Sequence, residues 1–406
     1  MKYEFGLHNF IMYAFAVSLK AVFLKMYKGD ATVLAKKTLY LITSAIIIKF
    51  IFASAGFAYQ VTERLEIGFL LAGALQYQRI HEDPEADGVA RGAVPFQPEL
   101  SFQPVETGEF FVKLGFAAGD GLNDGTSPFI LAHWAADLAS DVKNIHGRGR
   151  DYLLTAWYKH AFMFNHNNVL EVTGGIIDAT DYLDENAFAN DEYTQFMNEA
   201  LVNSPNGFAP SYDFGVALEW RMDQWTLKGV GMNIGENEDG NNTNFFGVQL
   251  GYETETAMGE GNYRFIYEGS PGRAFSNPGG TSLEARHAFL ISFDQEFGRY
   301  LGGWIRFGFQ SDRAAVTYDK IYSGGLNLSG ALWGRPQDNM GIAYGYLGGG
   351  NTGVRQTHVA EAYVRFAFMD AFGLTLDLQH MRDSYDADAG NDAEGFIAGI
   401  RFTVEF

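Results

Sequence analysis

The chain contains no cysteine. That excludes a disulfide framework, a thiolate metal cluster and a thiol nucleophile. It also agrees with an oxidising compartment, where stray thiols are a hazard. Proline is scarce, with 10 in 406 residues, and no Pro/Ser-rich linker divides the chain into separate domains beyond its N-terminal segment. Basic residues are outnumbered, 29 Lys and Arg against 49 Asp and Glu, for a net charge of −20. Nucleic acid and anionic surfaces both demand clustered cations, so this balance argues against either as a partner. Long apolar runs are missing after residue 58. Glycine and aromatic residues are abundant instead, with 48 Gly and 15% Phe, Trp and Tyr.

Residues 1–58 differ from the rest. In "KKTLYLITSAIIIKFIFASAGFA", Lys36 and Lys37 precede an apolar run and then small residues, the order of a secretory signal peptide. Cleavage after Ala55, at the A-x-A site Ala53-Ser54-Ala55, or after Ala58 is expected. The rival reading is a membrane anchor, but Lys49 interrupts the run, which falls short of the roughly 20 apolar residues of a spanning helix. Residues 1–25 lie unusually far upstream for such a signal, so either Met26 is the start or the extension is removed with it. The expected organisation is therefore 1–58 as extension and signal, and 59–406 as one domain.

From Leu65 onward the hydrophobic period is two. In "GFIAGIRFTVEF", Phe396, Ala398, Ile400, Phe402, Val404 and Phe406 share one face, and Arg401, Thr403 and Glu405 fall on the other. The alternation recurs at "LEIGFLLAGALQY", "GEFFVKLGF", "FGVALEWR", "GWIRFGFQ", "HVAEAYVRFAF" and "LTLDLQ". About sixteen such segments follow one another, each near the roughly 9–11 residues that a tilted strand needs to cross a bilayer. Their starts are expected near residues 65, 97, 108, 151, 168, 212, 224, 243, 260, 284, 300, 321, 339, 357, 372 and 394. Short turns such as "PVETG", "FNHNN", "DQ", "FGR" and "DA" alternate with longer polar stretches at 119–150, 178–211, 269–283 and 383–393.

Short turns on one rim and long loops on the other describe an all-β, antiparallel transmembrane barrel with periplasmic turns and external loops. A soluble sandwich would have to bury the same uniformly apolar face against a second sheet about 10 Å away, too thin a core for so many long strands. About sixteen strands enclose an aqueous channel. The expectation is a passive porin of a bacterial outer membrane for small hydrophilic solutes. A general or ion-selective porin, and a plugged barrel with a surface-binding or structural role, are the alternatives. The terminal Phe406 resembles the signal read by the barrel-assembly machinery, and outer-membrane lipid is the other expected partner. Nothing in the sequence decides between a homotrimer and a monomer.

Two stretches carry a family resemblance. "GGIIDATDYLDENAFANDEYTQFMNEALVNSPNGFAPSYDFGVALEW" has Asp178, Asn186, Asn190, Gln195, Phe196, Asn198 and Pro210 in a pattern similar to the OprB-type carbohydrate-selective porins. "GRPQDNMGIAYGY", with Gly334, Arg335, Asp338, Asn339, Gly341 and Tyr344, resembles that family's late turn and strand. The strand spacing agrees over most of 60–406. The first external loops depart from the family pattern, so its pore-narrowing basic residues are not all carried over. The resemblance implies a sixteen-stranded barrel for sugar uptake.

Parity nominates the lumen-facing residues: Lys113, Trp157, Lys159, Glu171, Glu219, Arg221, Arg264, Glu268, Glu284, Arg286, Trp304, Arg306, Glu361, Arg365, Asp377 and Arg401. Their signs are mixed, which suits a neutral polyhydroxylated solute whose hydroxyls both donate and accept. A single sign would suit an ion filter. Trp157 and Trp304 offer faces for sugar rings, or pack beneath an infolded loop. The acidic stretch "DATDYLDENAFANDEYTQFMNEA" reads as such a loop. Asn190 is its expected N-cap, and Tyr193, Phe196, Met197 and Ala200 form an apolar helical stripe that a free loop would not need. Docked inside, it would leave Asp178, Asp181, Asp184, Asn186 and Asn190 near the solute. No catalytic, cofactor or metal motif stands out. The nine histidines fall in no nucleophile motif, "HED" and "HNN" have no metal-ligand spacing, and "GGGNTG" lacks the following helix that phosphate binding requires.

Overall fold

The computed structural model describes residues 59–81, 88–204, 206–369 and 371–406. The expected secretory segment, its expected cleavage sites after Ala55 or Ala58 and the alternative start at Met26 lie outside the described residues.

Eighteen strands join one antiparallel sheet. Tyr59–Thr62 is a short strand paired to the start of the next one, and Phe116–Ala118 continues Gly108–Leu114 beyond Gly115. Sixteen staves therefore remain. In chain order they are Leu65–Ile80, Val89–Val105, Gly108–Leu114 with its continuation, Leu153–Asn165, Asn168–Ile177, Asp213–Met222, Trp225–Ile234, Thr243–Thr256, Gly259–Gly269, His287–Phe297, Leu301–Gln310, Tyr318–Ser329, Asn339–Gly349, Val354–Met369, Phe372–Tyr385 and Ala393–Glu405. The last pairs with the first from Leu70↔Glu405 to Ile80↔Gly395, which closes the cylinder. Closure leaves no unpaired sheet edge, the condition for a sheet to stand in hydrocarbon.

The two faces follow the pleat. Along Phe372–Tyr385, Leu376 and Leu378 point outward and are exposed, and Thr375, Asp377, Gln379 and Met381 point inward and are buried. The last strand repeats this, with Phe396 and Ile400 outside and Ile397, Arg401 and Thr403 inside. Thus the apolar face meets lipid and the polar face lines the interior. At the closing seam Phe69 and Phe406 exchange two backbone hydrogen bonds of 3.0 Å each, and their rings lie 4.8 Å apart.

One strand boundary is corrected. The second strand starts at Val89, not near 97. It runs through Pro95 and Pro98, and its pairing with the first strand is interrupted between Leu71↔Phe96 and Ala74↔Ala93. A proline cannot donate to the ladder, so the break falls beside Pro95, the residue that hid the strand. The connection between the twelfth and thirteenth strands, from Ser329 to Asn339, is longer than the other turns on its rim. It holds a 3-10 turn, Gly330–Trp333, and Asp338 accepts from Arg335, from the Trp333 indole at 3.1 Å and from the Ala367 amide at 2.9 Å.

Ile400 lies mid-strand on the lipid face. Ile400→Arg is expected to destabilise the barrel by roughly 2–4 kcal/mol, read as a lower urea midpoint for folding into lipid vesicles.

Candidate functional site

The interior is not empty. Residues 178–212 leave the fifth strand, cross the lumen and return to the sixth. The segment opens with Asp178, whose carboxylate accepts from the Thr180 amide (2.8 Å) and hydroxyl (2.7 Å), capping a 3-10 turn. Tyr182 and Leu183 then pack on Ala217, Val230, Met232 and Phe245 of the wall. Asp184 adopts a left-handed backbone, φ 60°. Its amide donates to Gln249 Oε1 at 2.9 Å, and its carboxylate forms an ion pair with Arg306 Nε at 2.8 Å. Asn186 Nδ2 donates to Ser292 Oγ at 3.2 Å.

The far side of the loop is held through its backbone. Arg306 Nη1 donates to the Leu201 carbonyl at 2.9 Å, and Nη2 to that of Ala189. Arg401 donates to the carbonyls of Glu192 and Gln195, the latter at 2.7 Å. Glu361 accepts from the amides of Met197 and Asn198, the latter at 3.0 Å. These wall side chains are at most 1% exposed. Their hydrogen bonds satisfy backbone groups that would otherwise be buried unpaired. Two wall glycines make the room: a Cβ at Gly302 would lie 2.2 Å from the Phe188 ring, and one at Gly247 would lie 2.4 Å from Leu183.

The helix expected from Asn190 is not there. Asp191 instead caps a turn, accepting from the amides of Tyr193 (2.8 Å) and Thr194 (3.0 Å). The short helix is Glu199–Val202, capped by Asn198. Asn198 Nδ2 also donates to Gln379 Oε1 at 3.0 Å and to the Leu131 carbonyl at 2.8 Å. These tertiary partners favour Asn198 over Asn190 as the cap. The apolar residues are buried as the stripe required, but against several partners: Phe196 meets Tyr363 and Trp304, with ring centroids 5.0 and 5.9 Å away, and Tyr193 meets Trp134 at 5.7 Å.

A second external loop, residues 119–152, also turns inward. Trp134 Nε1 donates to the Glu192 carbonyl at 2.7 Å, the Ala135 amide to the Met197 carbonyl at 3.0 Å, and the Ile130 amide to Asp383 at 2.9 Å. Between the two loops opens a cavity of about 670 Å³, lined by His133, Asp137, Asp141, Glu199 and Tyr212 among others. Asp137 accepts from Gln97 Nε2 at 2.6 Å and from the Tyr212 hydroxyl at 2.8 Å. Burial pushes its carboxyl up to about 7, against the opposing effect of the Tyr212 hydrogen bond.

The sequence-nominated residues divide into two groups. Arg306, Trp304, Asp377, Glu361, Arg401 and Glu268, with Asp178, Asp184 and Asn186 of the loop, are buried. They hold the loop or are covered by it. Trp304, 3% exposed, lies under Phe196 and offers no face to a solute. Glu268 accepts from the Phe208 amide at 2.8 Å. Arg286 is a buried clasp of the external loops, paired with Glu238 and 4.4 Å from the Phe275 ring centroid. The half-buried Asn190 donates its amide to Gln195 Oε1 at 2.8 Å. Near the periplasmic rim, Arg365 Nη1 contacts the Gln337 carbonyl at 3.5 Å, and Glu284 lies outside the barrel wall in a two-stranded external hairpin with Phe275.

The second group lines an open side of the lumen, on the second to seventh strands. Lys113 pairs with Glu99 (3.4 Å), Lys159 with Glu109 (3.6 Å), Arg221 with Glu171 (3.2 Å), and Lys228 with Glu219 (2.9 Å) and Glu185 of the loop. Asp181 is exposed on the loop and interacts electrostatically with Lys113. Trp157 stacks on Phe111 with ring centroids 5.0 Å apart, and Lys159 Nζ lies 5.5 Å from the Trp157 centroid. Arg264 pairs with Asp294 farther round the wall. Sequence reasoning missed Glu99, Glu109, Lys228, Glu185 and Asp137. The inward parity of the first three was readable; the other two sit in loops that have no period.

Arg306→Leu removes the guanidinium that pairs with buried Asp184 and donates to two loop carbonyls. It is expected to cost roughly 3–5 kcal/mol, whereas Arg221→Leu, at a side chain 55% exposed, should stay within about 1 kcal/mol. Urea unfolding of both variants checks the contrast.

Comparison with known proteins gives concordant matches. Residues 133–406 match the model of the family described as carbohydrate-selective porin, OprB family. An uncharacterized protein of Aquifex aeolicus (strain VF5) is 27% identical over 278 residues, 67% of this chain and 74% of that protein. The high-pH structure of Pseudomonas putida OprB superposes with a TM-score of 0.68 at 15% identity, covering 86% of this chain and 95% of that one. The low-pH structure of the same protein superposes with a TM-score of 0.52 at 11% identity.

Proposed function

The chain belongs to the OprB family of carbohydrate-selective porins, and from that premise we propose how this outer-membrane porin selects its solute. Loop 178–212 is the selectivity element. It fills the lumen on the side of Arg306, Glu361 and Arg401, and leaves the water path on the side of the ion-pair ladder. A sugar would enter the cavity between the two loops, pass Asp181 and Glu185 opposite Lys113 and Lys228, and reach the Phe111–Trp157 pair.

The observation that carries this reading is the pairing itself. Every cation named on the open side stands next to a carboxylate, so the path offers donors and acceptors side by side with little field of one sign. Sugar hydroxyls can exchange with such groups, and an aromatic face accepts the apolar face of a pyranose. An ion filter would call for a ring of one charge.

Planar-bilayer recordings with added sugars test the proposal. Sugars should block the native current at millimolar concentration. Deleting 181–199 should raise conductance and abolish the block. Trp157→Ala should raise the half-blocking concentration about five-fold, if the stacking contact contributes about 1 kcal/mol. Equal block in both variants would place the selectivity elsewhere.

We also propose that residues 1–55 or 1–58 are removed on export, leaving 56–406 or 59–406 as the mature porin. The A-x-A site supports this. Mass spectrometry of protein from the outer-membrane fraction should find an N-terminus at Gly56 or Tyr59; an N-terminus at or before Lys36 would overturn it.

A further inference from the structure

Ring closure brings together three side chains that are far apart in the chain. His81 directly follows the first strand, His380 is on the fifteenth and Glu394 is on the sixteenth. All three lie on the outward face at the long-loop rim, beside lipid-facing Phe396. His380 Nε2 is 3.2 Å from Glu394 Oε1, and His81 Nδ1 is 3.9 Å from the same oxygen. One donor atom from each residue falls within 4.8 Å of the other two.

We propose that this cluster is a site for a divalent transition-metal ion of the zinc class, which ties the closing seam of the barrel. Two imidazoles and one carboxylate form the donor set that zinc, nickel and copper prefer, whereas calcium and magnesium take oxygen ligands. A tetrahedral ion sits about 2.0–2.2 Å from each such ligand, which puts ligand atoms about 3.3–3.6 Å apart; the His380–Glu394 pair is already that close, and His81 stands farther out. The adjustment falls on His81, the most exposed of the three with 42% of its side chain accessible.

The surroundings pre-orient the ligands. Phe396 packs against both imidazoles, with its ring centroid 5.0 Å from that of His81 and 4.8 Å from that of His380, and the two imidazole centroids are 6.1 Å apart. Arg382 approaches the other carboxylate oxygen, Oε2, at 3.9 Å. That contact leaves Oε1 directed to the histidines. The backbone on both sides of the seam is already fixed, since the His81 amide donates to the Glu394 carbonyl at 2.8 Å. Three protein ligands leave a fourth position open outward, at the level of the lipid headgroups, for water or an anionic oxygen. Because His81 directly follows the first strand and Glu394 lies on the last, a bound ion would bridge the one junction that no chain connection reinforces.

The test uses the full-length porin, purified without a polyhistidine tag in detergent and titrated with zinc by calorimetry. Cobalt provides a visible-absorption probe of coordination. One ion per chain should bind at pH 7.5. His81→Ala and His380→Ala should each weaken binding at least ten-fold. His358→Ala, at a neighbouring outward histidine outside the cluster, should leave it unchanged. His380→Gln guards against loss of folding, checked by heat-modifiable mobility on electrophoresis, and should weaken binding equally. No zinc binding at millimolar concentration, or unchanged binding in the His81→Ala/His380→Ala double variant, overturns the proposal.

Discussion

Three charged side chains on the wall determine the interior: Arg306, Arg401 and Glu361. Each is buried, and each ends on backbone groups of the loop at 178–212. A loop crossing a confined lumen exposes amides and carbonyls that water no longer reaches freely, and each unpaired group would cost on the order of 1–3 kcal/mol. The wall supplies the partners. The dependence is mutual, because the loop that takes these wall charges out of water also supplies their hydrogen-bond partners. Loop position and wall chemistry therefore form one unit.

That unit makes the lumen asymmetric. On one side lie Phe196, Met197, Leu201 and Trp304, packed as in an ordinary protein core. On the other side lie cross-strand ion pairs with accessible side chains. A sixteen-stranded cylinder alone would be a wide, weakly selective hole. Filling part of it with an anchored loop leaves a narrower path with a defined chemical wall. The inward turn of 119–152 narrows the approach from outside, and its contacts to Glu192 and Met197 bind the two loops together.

Much of this was legible in the chain. The strands were, because lipid on one side and water on the other impose a strict alternation. Lys113, Glu171, Glu219 and Arg306 stand on the inner face that the strand parity assigns to them. The strand at Val89 was obscured by Pro95 and Pro98, which are tolerated where the ladder is interrupted. The cap of the loop helix was misassigned to Asn190, since local propensity ranks two asparagines alike. Glu361, Gln379 and Leu131 surround Asn198, and those contacts come from strands and loops remote in the chain. Parity also could not separate Arg306 from Arg221. Both point inward, yet one is buried beneath the loop and the other is open to the lumen.

The sequence by itself determined the barrel, its strand count of about sixteen and the face that residues of the barrel strands present, because these follow from a period of two read against lipid; Glu284, in an external hairpin, escaped that rule. Only the tertiary structure decided which inward residues clasp a loop, which line the path, and which outward ones meet across the seam. Those distinctions depend on distances across the lumen and around the ring, between strands whose separation in the chain carries no trace of their contact.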